Sequence, residues 1–301
     1  MISEPLSHII NLSIIQGSVP DDLKSARVVP LFKKNDKTEV GNYRPVSILS
    51  VISKVLEKVI FDQVQEYLSC NNLLYDFQSG FRQGFSTDTA LIHLSDYIKF
   101  QMDKGNLVGM VLLDLQKAFD TVDHSILLMK IKAMGFNNNA VNWFSSYLCD
   151  RHQLVDVSGV QSSKAGITCG VPQGSILGPL LFLIYVNDMS GAVKEKLNLY
   201  ADDSGILVAG KSRTDIENIL SSELEVLSQW LICNKLSLHL GKTESILFGS
   251  KQRLKSQSTL NVNCNGNAIG SNSSVKYLGA TIDQNLTFDT MARSIIKKSP
   301  V

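Results

Sequence analysis

The sequence predicts an α+β fold with an antiparallel sheet at its centre. Long segments with apolar residues at helical spacing, such as 51–68 and 214–231, alternate with short apolar runs that are typical of strands. A polar break at residues 200–203 predicts a hairpin, and Asn265-Gly266 predicts a second hairpin turn. Hairpin-linked strands and separate helices together favour the α+β class.

The remaining elements follow from apolar spacing and from the residues that end each run. Asp123 predicts a helix N-cap, and Thr214 with Glu217 predicts a capping box. In chain order, the pattern predicts a lead-in helix within 1–26, strand 27–32, helices 51–68 and 86–105, strand 107–114, helices 123–135 and 139–149, hairpin 153–168, the hairpin around 200–203, a helix from 214, and strands 245–248, 262–269 and 276–282.

The composition is that of a globular enzyme. With 301 residues, 44% hydrophobic and 19% charged, the chain can bury a sizeable core, with room for two subdomains. The net charge of only +1 gives no overall basic excess that would indicate a nucleic-acid partner. Five widely spaced cysteines without a CxxC pair indicate neither a disulfide framework nor a zinc site. Without a long apolar run or a basic signal-peptide start, an intracellular location, nuclear or cytoplasmic, is the expectation.

Three aspartates predict a metal site. Asp202 and Asp203 lie in the predicted hairpin turn, although Asp is favoured in turns for backbone reasons alone. Asp114 strengthens the prediction because it ends the apolar run LVGMVLLDL, where an unpaired charge beside a buried strand would be costly. Carboxylates without clustered Cys or His suit a hard divalent cation such as Mg²⁺.

Seven sequence blocks extend the signal over most of the chain, from about residue 12 to residue 282. In order they are RVVPLFKKNDKTEVGNYRPVSILSVISKVLEKVI, QSGFRQGFSTDTAL, LDLQKAFDTVDH, GVPQGSILGPLLFLIYVND, LYADD, LSQWLICNKLSLHLGKTESILF and VKYLGATID. In wording and order they resemble the reverse transcriptases of non-LTR retrotransposons, of the long-interspersed-element kind and close to the jockey-like elements. The resemblance implies a right-hand polymerase of fingers and palm, with an antiparallel palm sheet packed on helices. It also implies RNA-templated DNA synthesis with two Mg²⁺ ions, for which Mn²⁺ can substitute.

The resemblance also implies a catalytic and metal-binding set. Asp114 and Asp202 would bind both ions, and the backbone carbonyl of Leu115 would complete a metal shell. Asp203 would have an auxiliary role in metal binding or turn geometry, because consecutive side chains alternate in a strand. Lys242 would be a general acid for pyrophosphate, with an ordinary exposed lysine as the alternative.

A second implied set holds the incoming nucleotide. Lys33, in preference to Lys34, and Arg44 resemble residues that hold the triphosphate. Phe119 lies where the family excludes a ribose 2′-hydroxyl, with core packing as an equal alternative. Gln173 and Gly174 would brace the nucleotide pocket, with a Gly/Pro turn before a helix as the alternative. Asp120, next to Phe119, is a candidate helix cap. The partners implied are an RNA template, a DNA primer and deoxynucleoside triphosphates, with no membrane.

The expected organisation is a lead-in helix at 1–26, a reverse transcriptase domain of fingers and palm at 27–283, and the start of a truncated thumb or connection at 284–301. Elements of this family usually carry an upstream endonuclease and basic thumb helices, and both are expected to be largely missing here. Two functions therefore stay open. One is an RNA-directed DNA polymerase, and the other is a catalytically silent retroelement remnant that binds nucleic acid or a protein partner.

Overall fold

The computed structural model describes residues 2–255 and 258–298. The helices in this part of the chain are α1 (Ser3–Gln16), α2 (Val51–Cys70), α3 (Thr87–Asp103), α4 (His124–Ala133), α5 (Asn138–Leu148), α6 (Leu177–Val186), α7 (Arg213–Cys233), α8 (Lys251–Leu254) and α9 (Asp289–Lys298). The strands are β1 (Ser25–Phe32), β2 (Tyr43–Ile48), β3 (Leu107–Leu113), β4 (Arg151–Val157), β5 (Val160–Gln161), β6 (Ala165–Ile167), β7 (Lys196–Tyr200), β8 (Asp203–Gly210), β9 (Glu244–Phe248), β10 (Val262–Cys264), β11 (Asn267–Ser271), β12 (Ser274–Tyr277) and β13 (Ala280–Asp283).

The chain divides into two compact units, and the α+β class predicted from the sequence is confirmed. The first unit comprises Met1–Leu74 and Lys117–Asn187, and the second comprises Tyr75–Gln116 and Asp188–Val301. Of the segments expected from the sequence, Met1 of the lead-in helix and residues 299–301 of the 284–301 segment lie outside the described residues.

The first unit combines a small sheet with helices around one fully buried helix. Its strand order is β2-β1-β4-β5, and β6 pairs with β4. The pairs are antiparallel except for β1 with β4, which are parallel. Helix α6, with the sequence LGPLLFLIYV, has apolar residues on all sides, as expected for a helix inside a core. Across the described residues, the longer helices carry too many polar side chains, and α6 is too short, for any of them to traverse a bilayer.

The second unit is built on a six-stranded sheet of order β10-β11-β9-β3-β8-β7. It is antiparallel, as predicted, except for the parallel pair β11 and β9. All seven residues of the central strand β3 are buried. Helix α3 covers one face, where Leu94 and Ile98 join a core cluster with Val108 and Met110. Helix α7 covers the other face, where a Cβ at Gly109 would lie 2.3 Å from the Ile216 side chain. Two covered faces explain why β3 reads as a continuous apolar run.

Local signals predicted several element boundaries correctly. The Asp123 carboxylate accepts a hydrogen bond from the Ile126 amide at 3.0 Å and caps α4. Asn265 and Gly266, between β10 and β11, both have positive φ, as a two-residue hairpin turn requires.

Two local predictions were wrong. Helix α7 begins at Arg213 with Ser212 as N-cap, so Thr214 and Glu217 do not form a capping box. The Glu217 carboxylate instead accepts a hydrogen bond from the Asn261 amide at 2.8 Å, because a long-range partner replaces the local one. The single strand expected at 276–282 is a hairpin of β12 and β13, with Leu278 and Gly279 at positive φ in its turn.

Candidate active site

The second unit brings two of the predicted acids to the same end of its sheet. Strands β3 and β8 pair in an antiparallel register that runs from Leu107 opposite Gly210 to Leu113 opposite Ser204. Asp114 directly follows Leu113, and Asp203 directly precedes Ser204, so the two acids adjoin the last pair of this ladder. They therefore lie at the same end of two neighbouring strands.

Asp202 occupies the turn that joins β7 to β8. The last β7–β8 pair is Tyr200 opposite Asp203, which leaves Ala201 and Asp202 as the two turn residues. This confirms the hairpin that the sequence predicts around YADD. It also places Asp202 outside the ladder and Asp203 at the first ladder position.

The three carboxylates interact electrostatically. The pKa of Asp203 is raised from 3.8 to about 6, first by desolvation and then by the negative charges of Asp202 and Asp114. Asp203 keeps solvent-exposed surface, so the surrounding protein removes only part of its hydration. Ionisation of Asp203 is thus less favourable than that of an isolated aspartate, and a bound cation would offset the local charge.

Lys242 supplies one positive charge at this point. Its Nζ atom lies 3.6 Å from Oδ2 of Asp114, and both side chains retain considerable exposure. The loop that carries Lys242 is held to the strand end because the His239 amide donates to the Asp114 carbonyl at 2.7 Å. Sequence reasoning missed His239, since its contribution is a backbone hydrogen bond that no local pattern indicates.

Leu115, the residue after Asp114, also contacts the loop that carries His239. It forms an isolated antiparallel bridge with Leu238. The hydrogen bonds of this bridge run from the Gln116 amide to the Ser237 carbonyl and from the His239 amide to the Asp114 carbonyl. The bridge therefore does not use the Leu115 carbonyl, which is the atom that the sequence prediction assigns to a metal shell.

The donor chemistry at this end of the sheet fits a divalent cation. Carboxylate oxygens and a backbone carbonyl are hard ligands, and the mutual repulsion that raises the pKa of Asp203 is the condition a bound cation would relieve. The side-chain positions do not gather three or more His, Cys, Asp or Glu ligands around one point anywhere in the described residues. The aspartates therefore form a group of electrostatically interacting carboxylates at one end of strands β3 and β8. They do not form a closed set of metal ligands.

In the first unit, the β1–β2 hairpin carries Lys33 and Arg44, the two side chains predicted to bind the triphosphate. Arg44 pairs with Leu31, and the Lys33 amide donates to the Asn42 carbonyl at 2.8 Å, which extends the ladder. Lys33 is two residues beyond Leu31, so Lys33 and Arg44 lie on one face of the hairpin, and both are exposed. Lys34 lies in the bend that follows β1 and is also exposed.

Phe119 and Gln173 make defined contacts within the first unit. The Phe119 ring stacks on Phe182 of α6, with centroids 4.5 Å apart and an interplanar angle of 25°. The Gln173 amide donates to the Asp120 carboxylate at 2.8 Å. Asp120 therefore holds the side chain of Gln173, a role that sequence reasoning missed when it considered Asp120 as a helix cap.

Gly174 is required by its packing. Its φ is +114°, and a Cβ there would lie 2.6 Å from the Ser47 carbonyl oxygen. The neighbouring Gln173 carbonyl accepts a hydrogen bond from the Ser47 amide at 2.6 Å. The glycine thus allows this loop to dock directly against β2.

A buried carboxylate anchors the helix that follows this loop. Glu57 of α2 is 1% exposed, and its carboxylate accepts from the Ile176 amide at 2.6 Å and from the Tyr147 hydroxyl at 2.9 Å. Burial raises the pKa of Glu57, and the hydrogen bonds and the Arg151 charge oppose that rise. Sequence reasoning missed Glu57, because it interrupts an apolar helix face without any motif around it.

The family described as reverse transcriptase (RNA-dependent DNA polymerase) matches residues 32–282, which is most of the chain. The chain belongs to the reverse transcriptase family. Its relatives confirm the non-LTR retrotransposon resemblance. The chain is 31% identical over 299 residues to the probable RNA-directed DNA polymerase from transposon BS of Drosophila melanogaster, covering 94% of this chain and 33% of the relative.

A second relative gives the same result. The RNA-directed DNA polymerase from the mobile element jockey of Drosophila melanogaster is 31% identical over 292 residues, with 94% of this chain and 31% of the relative covered. The chain thus spans about a third of the length of these relatives. Membership in the family implies divalent-metal use and a nucleic-acid template.

Solved structures show the same fold. The apo telomerase of Candida tropicalis superposes with a TM-score of 0.61 at 13% identity, covering 96% of this chain and 53% of that chain. A form of that telomerase truncated from the C-terminal domain gives a TM-score of 0.58 at 14% identity, over 90% of this chain and 55% of that one. These likenesses confirm the predicted fingers and palm fold.

Proposed function

We propose that this chain is an RNA-directed DNA polymerase that extends a DNA primer with deoxynucleoside triphosphates on an RNA template. The observation that carries the proposal is the group of three carboxylates at one end of strands β3 and β8, where Asp114 and Asp203 lie next to the last ladder pair and Asp202 lies in the adjoining turn. This group lies within the segment that matches the family. Residues 27–283 are proposed as the fingers and palm, residues 1–26 as a lead-in segment, and residues 284–301 as the start of a thumb or connection.

The acids are proposed to hold two Mg²⁺ ions, for which Mn²⁺ can substitute. When bound, such ions supply charge neutralisation to the attacking and leaving oxygens of phosphoryl transfer. Asp114 and Asp202 would hold the ions, and the Leu115 carbonyl would add a ligand. Asp203 has the auxiliary role, because its charge interacts with those of Asp114 and Asp202 and adds negative charge that favours cation binding.

Lys242 is proposed as the general acid for the pyrophosphate leaving group. Its ammonium lies 3.6 Å from the Asp114 carboxylate, so the chain itself carries a proton donor beside the metal-binding acids. The anchored loop supports this role, since the His239 amide fixes the backbone three residues before Lys242.

The first unit is proposed to hold the nucleotide. Lys33 and Arg44 share one exposed face of the β1–β2 hairpin, which suits contact with a triphosphate. Phe119 is proposed to exclude a ribose 2′-hydroxyl, supported from behind by Phe182. Gln173, held by Asp120, and Gly174, docked on Ser47, brace the nucleotide pocket.

Primer extension on a primed homopolymeric RNA with Mg²⁺ tests the proposal. The wild-type chain should extend the primer, and Asp202→Ala should abolish extension without weakening binding of the primed duplex. Asp215→Ala is the matched control, because it removes an exposed acid in the first turn of α7. Duplex binding without extension by the wild-type chain would contradict the proposal and support a catalytically silent remnant.

A further inference from the structure

A short segment of the second unit runs along the outer edge of β7 and reaches the turn that carries Asp202. Gln78 forms a parallel bridge with Leu199. The Ser79 amide donates to the Leu199 carbonyl at 2.8 Å, and the Leu199 amide donates to the Phe77 carbonyl at 3.0 Å. Residues 77–80 thus add a strand-like clip to the hairpin that bears the acids.

The side chain of Gln78 binds the turn directly. It is 2% exposed, and its Oε1 atom accepts hydrogen bonds from the Ala201 amide at 3.1 Å and from the Gly80 amide at 2.8 Å. Ala201 is the residue immediately before Asp202. One amide oxygen therefore fixes both the clip and the first residue of the turn.

The turn needs such support because of its backbone conformation. Ala201 has a φ of 57°, in the left-handed region that residues other than glycine seldom occupy. Gly80 lies against it so closely that a Cβ at Gly80 would be 2.3 Å from the Ala201 nitrogen. Conformations of this kind persist where the surrounding structure holds them in place.

The clip is itself anchored at its start. Nη1 of Arg82 donates to the carbonyls of Tyr75 and Gln78 at 3.0 and 3.1 Å. The Tyr75 hydroxyl donates to the Leu197 carbonyl of β7 at 2.9 Å. Hydrogen bonds therefore hold the backbone around Gln78, and its side chain holds the Ala201 amide in turn.

We propose that Gln78 is a positioning residue that fixes the backbone of the turn and, through it, the carboxylates of Asp202 and Asp203. The buried Nε2 atom of Gln78 has no hydrogen-bond partner among the described residues. Burying an unpaired amide group is unfavourable, so it offsets part of the stability that the two accepted bonds provide. The placement of the turn is then the main effect of this side chain. This inference rests on the proposed function of the acids.

Gln78→Met tests the inference because methionine has similar length and cannot accept the two bonds. Exchange of the Ala201 amide hydrogen should accelerate about 3- to 10-fold, the effect of losing one neutral hydrogen bond. Mn²⁺ affinity, measured by titration without nucleic acid, and kcat for primer extension should each fall about 10- to 100-fold, as for other residues that orient metal ligands. The KM for the primed template should not change.

Two variants separate positioning from general stability. Gln78→Glu keeps an acceptor oxygen and should keep the Ala201 amide protected. Gln284→Met removes a buried glutamine elsewhere in the same unit, which donates to the Ser258 carbonyl. It should leave Ala201 exchange and Mn²⁺ affinity at wild-type values. Should Gln78→Met fail to fold, Gln78→Asn, which is shorter by one methylene, carries the same expectation.

The outcomes distinguish this inference from the proposed function. If the Gln78→Met variant exchanges its Ala201 amide hydrogen and binds Mn²⁺ as the wild-type protein does, the positioning role is overturned. A wild-type chain that cannot extend primers would overturn the polymerase proposal alone, because amide exchange and Mn²⁺ titration still decide the role of Gln78.

Discussion

Asp114 and Asp203 adjoin the last pair of the β3–β8 ladder, in which Leu113 lies opposite Ser204. Together with Asp202 in the turn, they concentrate negative charge at one end of these strands. Burial and this charge raise the pKa of Asp203 to about 6. Repulsion among the ionised carboxylates therefore destabilises the folded protein when no cation is bound.

The metal-free protein should lose stability as the pH rises from about 4 to about 6. In this window folded Asp203, with a pKa near 6, binds more protons than in the unfolded chain, where the ordinary value is 3.8. The free energy of unfolding therefore falls with increasing pH. Asp203→Asn should remove this contribution. Thermal unfolding in EDTA at several pH values measures it.

The pH dependence of the melting temperature must be compared between the wild-type and Asp203→Asn proteins, because other groups also titrate. Burial raises the pKa of Glu57 as well, and its contribution has the same sign. That contribution is common to both proteins and cancels in the comparison. If the melting temperatures of the two proteins depend on pH in the same way, the pKa of Asp203 is not raised in the folded protein.

Lys242→Met should reduce kcat and leave folding almost unchanged. The ion pair with Asp114 is largely exposed to solvent, so its loss should change the free energy of unfolding by less than about 1 kcal/mol. Loss of a general acid should slow extension about 10²- to 10⁴-fold. Steady-state primer extension with a thermal melt measures both, and exposed Lys276→Met is the control. Unchanged kcat would leave Lys242 as an ordinary surface lysine.

Phe119→Val should allow incorporation of ribonucleotides. If the ring excludes the 2′-hydroxyl, the ratio of kcat/KM for deoxynucleotide over ribonucleotide should fall at least about tenfold, since the change removes a steric barrier. The variant also loses the stack on Phe182, so a lower melting temperature is expected in either case. Phe119→Tyr keeps the bulk and should keep discrimination. A lower melting temperature with unchanged discrimination would assign Phe119 to the core.

Glu57→Ala should destabilise the first unit by about 3 kcal/mol, as expected when a buried hydrogen-bonded charge is removed from its partners. The change leaves the Ile176 amide and the Tyr147 hydroxyl without their acceptor. Glu66→Ala, at an exposed position of the same helix, should have little effect. Chemical denaturation of the two variants gives the difference, and equal midpoints would contradict the anchoring role.

Much of the site scaffold could be predicted because its signals are local. The apolar run before Asp114 indicated a strand buried on both faces, and the polar break at Asp202 indicated the hairpin. The placement of Asp114 and Asp203 at the same end of two paired strands could not be predicted, because it depends on how β3 and β8, far apart in sequence, align. Even so, the ordered sequence blocks indicated the family correctly.

The supporting contacts were missed for a related physical reason. Gln78 meets Ala201 across 123 residues of sequence, and nothing in the wording of YADD indicates a left-handed alanine in the turn. His239 acts through its backbone amide, which has no residue-type signal. At α7, a tertiary partner for Glu217 replaced the capping box that local spacing predicts.

The central claim is that Asp114, Asp202 and Asp203 form the working site of an RNA-copying polymerase. Primer extension on an RNA template by the wild-type chain and by Asp202→Ala, with Mg²⁺ and then with EDTA, tests it most directly. The account predicts extension by the wild-type chain alone, and only with the metal. Extension that survives in Asp202→Ala, or its absence from a wild-type chain that binds the primed template, would contradict it.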